Sequence, residues 1–491
     1  MPEIPTLLPH QEQCKQFILQ HPKCGVFLDI GYGKTLTTLA AIDILKPRNV
    51  LIVAPKSIAR TTWKAEIKKW GYNFHVFSLL EYPNKKTGKM KQFTLKQACE
   101  IYKEIPLMPP DRTCVFITTR DRVKHLADWC EEHNTWPFDL IVADEFHNFK
   151  GNTNRSNALL QLSQHTPRFV GLTGTPMPNS ISDLWGEIRI LDNGARLGRY
   201  ISHFRAQYMI ASMTVQGHPV AWKPIPGAED LIYPKIADIA ISVKTDLKLP
   251  PLTINDMPIY LDQNELQIYR QFAKSGVLNL EDIDPLAAMR SGEDYTVLTP
   301  ANAAALVGKL SQIASGTVYD EKHNAYVIHN QKLDKLQQIV DNTGGPVLVA
   351  YHFKCDRKRI MEHLTFDKED IERGNATVVE FNGSMDMQDA WNRGEYRVML
   401  IQPQKHGAGI NLQQGGSTLV WYSLPTSYEQ YAQTNGRIYR QGQTKPTIIH
   451  RLITQQTFDT RLAVSLLRKG EGNDAVLEAV RREIYEIMNY S

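Results

Sequence analysis

Apolar positions in this chain cluster in short runs that are apolar throughout, set between longer stretches of helical periodicity. Gly25–Leu28, Asn49–Ala54, Thr113–Thr118, Phe138–Ala143 and Arg168–Leu172 are such runs in the first half. A strand that is apolar on both faces belongs in the middle of a parallel sheet covered by helices. Near Lys244–Pro251 the pattern breaks into a polar, proline-bearing stretch that reads as a linker. The alternation then resumes with Val347–Tyr351, Thr377–Phe381, Arg397–Ile401, Thr418–Tyr422 and Thr447–Ile453. The pattern predicts an α/β protein with two domains in tandem, 1–245 and 246–491.

Two segments depart from this rhythm. Tyr82–Lys96 is basic and reads as a solvated loop, with a nucleic-acid contact as the weaker reading. Asn279–Asn330 carries an acidic piece, a helix predicted from Asn302 to Ser315 and a hairpin around Glu321–Asn324. It reads as a small insertion over 279–330 at the start of the second half.

Composition narrows the class. With 491 residues, 42% hydrophobic and 22% charged, the chain has the make-up of a folded globular protein of several domains. No apolar run reaches bilayer-spanning length, and Met-Pro-Glu-Ile-Pro lacks a signal-peptide layout. No membrane partner is expected. The six cysteines form no Cys-x-x-Cys pair, so a reducing cytoplasm fits better than a disulfide scaffold or zinc site. A net charge of +4 confines any nucleic-acid surface to a local groove.

Chemistry concentrates after Gly25–Leu28. The turn Gly31-Tyr32-Gly33-Lys34-Thr35 leads into a helical run ending at Leu45 before Pro47. Strand, glycine turn, Lys-Thr and helix N-terminus together form a triphosphate cradle. Lys34 would reach the β- and γ-phosphates, and the Thr35 hydroxyl would bind Mg²⁺. Leu28 stands where the strict motif has glycine, so the stretch alone also admits an ordinary glycine turn. Asp144-Glu145-Phe146-His147 follows an apolar strand at the edge where α/β proteins bind ligands. Asp144 is suited to hold the metal and Glu145 to orient the attacking water, although Asp-Glu pairs are also common on surfaces. Thr426-x-x-Glu429 predicts a capping box opening a helix through about Tyr439. Gln433, Arg437 and Arg440 would share one face of that helix.

The ordered set resembles the motifs of superfamily 2 helicases, and more narrowly those of the Swi/Snf-type DNA translocase family. Leu8-Pro9-His10-Gln11 resembles the adenine-recognising glutamine motif, and Ala54-Pro55-Lys56-Ser57 with Trp63, Glu66 and Trp70 resembles motif Ia. Phe116–Arg120 is similar to motif Ib, and Gly171–Pro176 to motif III. Lys332–Val340 with Pro346–Phe353, then Phe381–Ser384, Gly407–Leu412 and Gln433–Gln443, continue the likeness through motifs IV, V and VI. The resemblance implies two RecA-like domains with an ATP cleft between them, using Mg²⁺ and contacting duplex or branched DNA through its backbone. It implies catalytic roles for Lys34, Asp144, Glu145, Arg437 and Arg440, and ATP contacts from Gln11, Gly31, Tyr32, Gly33, Lys34, Thr35, Gly407 and Gly409. Coupling falls to His147, Thr173, Thr175 and Gln433, with His147 pairing with Gln433. DNA contacts fall to Lys56, Ser57, Thr119, Gly383, Lys405 and Asn411.

The chain also departs from the family pattern. Pro403-Gln404-Lys405 replaces the usual Thr-Arg-Ala before motif V, and Leu8 replaces an arginine. Two lobes use up the chain, which points to a minimal translocase of bacterial or phage origin rather than a nucleosome remodeller. Trp63, Trp185 and Trp391 read as core residues rather than base-stacking platforms. The reading is a motor coupling ATP hydrolysis to movement on duplex DNA. The alternatives are a strand-separating or branch-migrating helicase, an RNA helicase and a non-hydrolysing DNA-binding scaffold.

Overall fold

The computed structural model describes residues 6–467, except Ile30, 84–89, 108–111, 175–180, 216–217, 244–248, 276–277, 280–296, 299–302, Glu321 and 407–409. The chain forms two compact units, Met1–Leu247 and Lys248–Ser491. Each is a RecA-like α/β lobe built on one parallel sheet flanked by helices.

In the first lobe the sheet strands are β1 (Lys23–Phe27), β2 (Asn49–Ala54), β3 (His75–Ser78), β4 (Cys114–Thr119), β5 (Leu140–Asp144), β6 (Arg168–Thr173) and β7 (Ala240–Ser242). Their order is β7-β1-β6-β5-β2-β4-β3, with every neighbouring pair parallel. Every residue of β2, β4 and β5 is buried, which is why these segments read as unbroken apolar runs. The pairing of β6 with both β1 and β5 puts the carboxyl ends of these three strands side by side, and all three lead into site-forming loops.

In the second lobe the strands are β8 (Leu252–Ile259), β9 (Val347–Ala350), β10 (Val378–Glu380), β11 (Val398–Ile401), β12 (Thr418–Trp421) and β13 (Thr447–Thr454), in the order β8-β13-β12-β9-β11-β10. Alternate residues feed two cores. Leu348, Ala350, Met399, Ile401, Leu419 and Trp421 pack on one face. Val347, Val349, Val398, Leu400, Val420 and Tyr422 pack on the other. That is the period-two geometry of a strand, with both faces apolar.

The insertion resolves into a helix, Ala303–Ala314, and an antiparallel pair, Thr317–Tyr319 with Ala325–Val327. Its acidic piece, 280–296, lies outside the described residues. The basic segment expected to be loop is corrected in part. Glu81–Pro83 pairs antiparallel with Met90–Gln92, and Thr94 caps a helix from Leu95 to Glu104. The linker stretch is mostly outside the described residues, and β8 begins directly after its prolines.

Glu187, in the helix Ser182–Asp192, is fully buried, and neither carboxyl oxygen has a hydrogen-bond partner among the described residues. Burial first, then Asp183, push its carboxyl well above the usual range, against the pull of Lys150. The folded state holds this proton more tightly than the unfolded chain does. Its stabilising effect is therefore complete below the unfolded pKa of about 4.3 and is lost as pH rises toward the folded value. Denaturant melts of wild type and Glu187→Gln should coincide near about pH 4, with the variant more stable by roughly 1–3 kcal/mol at about pH 8.

Candidate active site

The phosphate loop joins β1 to the helix Lys34–Leu45. Leu28 N–H donates to the Thr173 carbonyl (3.1 Å), which ties the loop's start to the end of β6. Gly31 and Gly33 have φ of 87° and 82°, the left-handed region that glycine enters without penalty. Gly33 has a second reason to be glycine. A Cβ there would lie 2.1 Å from Gln11 Nε2. Gln11 donates from Nε2 to the Tyr32 carbonyl (3.2 Å) and accepts the Leu8 N–H on Oε1 (3.0 Å). His10 Nε2 donates to the same Tyr32 carbonyl at 3.1 Å. The glutamine-motif residues therefore brace the loop from below. Lys34 Nζ donates to the carbonyls of Leu28 (2.7 Å) and Asp29 (3.3 Å), folded across the turn it would fill with phosphate. Thr35 follows it on the first turn of the helix, whose N-terminus carries positive partial charge.

Asp144 is the last residue of β5, and its carboxylate is held by two donors. Trp63 Nε1 donates to Oδ2 (2.9 Å), and the Glu145 N–H donates to Oδ1 (3.0 Å). Burial and the neighbouring Glu145 push the Asp144 carboxyl up to about 6, while Lys34 and the two donors oppose the rise. Lys34 thus acts electrostatically on Asp144 within this lobe. Glu145 takes φ 51°, ψ 54°, a left-handed conformation unusual for a side-chain-bearing residue. It turns the chain sharply from the strand into the short helix Phe146–Phe149.

His147 is buried and bonds Thr173 Oγ1 through Nδ1 (2.8 Å), with Glu145 Oε2 3.5 Å from the same nitrogen. Two of the expected coupling residues, His147 and Thr173, are therefore joined directly. Asn148 Nδ2 donates to the Glu145 carbonyl (2.9 Å) and lies 3.2 Å from His147 Nε2. Arg120 in turn donates to Asn148 Oδ1.

In the second lobe the motif VI helix is shorter than expected. It spans Tyr428–Asn435 and is capped by Ser427, whose hydroxyl accepts the Gln430 N–H (3.4 Å). Thr426 is not the cap. Gly436 ends the helix, so Arg437 and Arg440 lie beyond it in tight turns rather than on its face. The two still converge. Both donate to the Ile410 carbonyl, at 3.0 Å and 3.4 Å. Gln433 donates to Glu429 Oε1 (3.1 Å). The segment after motif V is pinned from the helix Met385–Asn392. Gln388 Oε1 accepts the Asn411 N–H (3.1 Å), and Asn392 Nδ2 donates to the Asn411 carbonyl (3.0 Å).

The expected DNA residues divide by exposure. Lys56, at the start of a short helix, and Lys405, within another, are exposed, whereas Thr119 is buried at the end of β4. Gly383, at φ 86°, sits in a turn closed by Asn382 Oδ1 accepting the Ser384 N–H (2.8 Å). Thr175, Gly407, Gly409 and the Ser57 side chain lie outside the described residues. Trp63, Trp185 and Trp391 are buried core residues, and each spends its indole N–H on a site segment or loop: Asp144, the Gly198 carbonyl and the Leu412 carbonyl. Sequence reasoning missed Trp63 as a partner of Asp144 and Asn148 as a hub. A buried acid's need for a donor was the available signal for Trp63.

The matched family model is the SNF2-related domain, aligned over residues 10–294. The chain belongs to this family, whose members are DNA-dependent ATPases of the superfamily 2 helicase type. The chain is 29% identical over 500 residues to putative protein p41 of Acyrthosiphon pisum secondary endosymbiont phage 1, covering 97% of this chain and 99% of that protein. It is 24% identical to the human DNA annealing helicase and endonuclease ZRANB3 and 22% identical to the putative ATP-dependent helicase/translocase YwqA of Bacillus subtilis. The alignments take in 97% and 96% of this chain but 41% and 49% of those proteins, so the chain spans less than half of each. Among solved structures, a Sulfolobus solfataricus SWI2/SNF2 ATPase core in complex with dsDNA aligns over 99% of this chain and 96% of that one, at 17% identity and a TM-score of 0.40.

The Trp63–Asp144 bond is a charge-assisted contact in a dry setting. Trp63→Phe keeps the core apolar and leaves Asp144 short of a donor. Steady-state ATPase activity should fall by roughly tenfold, in keeping with about 1.5–3 kcal/mol for a hydrogen bond to a charge. The far-UV circular dichroism spectrum should be unchanged.

Proposed function

We propose that the chain couples Mg-ATP hydrolysis to movement along double-stranded DNA without separating its strands. The observation that carries this reading is the joined network at the carboxyl ends of β5 and β6, Trp63–Asp144 and His147–Thr173, beside a glycine loop with an intact Lys34. It couples the acids suited to hydrolysis to Thr173, the last residue of β6, as a motor requires. Gln11 and Gly33 would position the nucleotide, and Lys34 would neutralise phosphate charge. Arg437 and Arg440 would supply further positive charge to the triphosphate.

Asp144 and Thr35 would hold Mg²⁺. The fit rests on Asp144 itself, a buried carboxylate whose protonation is favoured by the neighbouring Glu145. A divalent cation there relieves both burial and repulsion. Bound Mg²⁺ would offset charge on the phosphate oxygens, leaving Glu145 to accept a hydrogen bond from the attacking water.

DNA would be gripped through its backbone by Lys56, Ser57, Thr119, Gly383, Lys405 and Asn411, giving binding that weakens with salt and ignores sequence. The exposed Lys56 and Lys405 are the best placed of these. The setting is a bacterial cytoplasm or phage-infected host, which the phage relative and the six free cysteines support. Among the described residues no helix is long and apolar enough to cross a membrane.

The test is steady-state ATPase activity with no nucleic acid, single-stranded DNA, linear duplex, a four-way junction and RNA, alongside displacement of a labelled strand. Linear duplex should stimulate hydrolysis with no strand displaced. Stimulation confined to junctions would replace translocation by branch migration, and stimulation by RNA alone would overturn the DNA substrate. Glu145→Gln should lower the duplex-stimulated rate by at least about a hundredfold while DNA binding, read by fluorescence anisotropy, persists.

A further inference from the structure

The second lobe contains a cavity of about 570 Å³ whose wall includes part of the motif IV stretch but none of the residues given ATP, DNA or coupling roles. It opens at the amino ends of β9, β12 and β13, the edge opposite the carboxyl ends that lead into motifs V and VI. Its size falls in the range of small-molecule sites.

The lining has one sign of charge. Lys335 and Lys445 contribute ammonium groups, His450 an imidazole, and among the described residues no aspartate or glutamate takes part. Main-chain carbonyls that would repel an anion are drawn elsewhere. On one wall, the buried Arg397 guanidinium collects the carbonyls of Val340 (2.5 Å), Thr343 (2.6 Å) and Gly345, and is itself fixed by Asp370 (2.7 Å). On the other wall, the buried Gln443 amide donates to the carbonyls of Gln413 (3.0 Å) and Gly416 (3.3 Å). Neither Arg397 nor Gln443 lines the cavity. Both walls are held by buried polar side chains, and the charged residues of the lining are the two lysines.

Two further features suggest what fits. Gly344 and Gly345 lie in the lining, have no left-handed φ, and would each carry a Cβ with nothing within 4 Å of it. Neither backbone conformation nor packing calls for glycine there, whereas close approach of a ligand to bare backbone does. Met257, Ile339, Pro346 and Ile448 give the cavity an apolar side. Burial and Lys335 hold His450 below the usual imidazole range, and its Nδ1 has no hydrogen-bond partner among the described residues.

We propose that this cavity binds a phosphorylated ligand of mononucleotide size, its phosphate between Lys335 and Lys445 and its ring on the apolar side. Gln443 also donates to the Ile438 carbonyl (3.0 Å), inside the turn that carries Arg437 and Arg440. The site is thus mechanically continuous with the arginine segment through one side chain.

Isothermal titration of the full chain tests this with three probes, inorganic phosphate, AMP and adenosine, the cavity variants below separating this site from AMP bound at the phosphate loop. AMP should bind, phosphate more weakly, and adenosine at least about tenfold more weakly than AMP. Lys335→Ala/Lys445→Ala should lower AMP affinity by at least about tenfold. Gly345→Leu, whose side chain enters open space, should abolish it while leaving the melting temperature in place. No heat from AMP or phosphate at millimolar concentration would overturn the proposal. So would equal binding of adenosine and AMP, or unchanged affinity in the lysine variant. Duplex-stimulated ATPase activity without added AMP should be the same in all three proteins, so failure here is separable from failure of the motor reading.

Discussion

A carboxylate placed at the end of an apolar strand must be kept usable inside a dry sheet, and much of the first lobe is arranged around that requirement. Asp144 has burial and Glu145 working against its charge. An indole from one helix, a main-chain N–H and the field of Lys34 work in its favour. Each of these offsets part of the cost of a buried charge, and losing the indole leaves Asp144 one donor short, a cost of about 1.5–3 kcal/mol. Hence the fixed order of parts: β5 delivers the acid, the helix Thr62–Lys69 delivers the donor, and the loop after β1 delivers the ammonium.

The second lobe solves a different problem with the same economy. Its central strands are apolar on both faces, and polar work falls to the β8–β13 pair and the flanking helices. Buried cations and amides there act as fasteners rather than as reagents. Arg451 is held bidentate by Asp256 at 2.6 and 2.7 Å, tying the outermost strand β8 to β13. Lys332, fully buried, bonds Asp459 (2.6 Å) and the Tyr422 carbonyl (3.1 Å). Such pairs break even in net energy but are costly to half-remove, so they fix register where apolar contacts are interchangeable.

The central strands could be read from sequence because they are apolar on both faces, and their limits shift by no more than two residues between pattern and structure for Asn49–Ala54, Arg168–Thr173 and Thr418–Trp421. Three of the four outermost ones could not. His75–Ser78 is half-exposed, Ala240–Ser242 is three residues long, and Leu252–Ile259 carries polar residues and Pro258. A proline is tolerated only because that strand is at an edge. Local rules also misplaced the end of the motif VI helix, which Gly436 stops. At the site, individual residues were readable from motif chemistry, but their partners were not. Trp63 and Asp144 are far apart in sequence, and only folding shows that a core tryptophan also serves as a donor.

Glu145 holds a backbone conformation that glycine or asparagine would occupy at lower cost. Thermodynamics and chemistry therefore pull this position in opposite directions. Drift from glutamate to glycine or asparagine would be rewarded with a more relaxed turn and, under the role proposed for Glu145, opposed by loss of turnover. Under that role, the identity of this residue in a copy of the protein would record whether that copy is still under selection to hydrolyse.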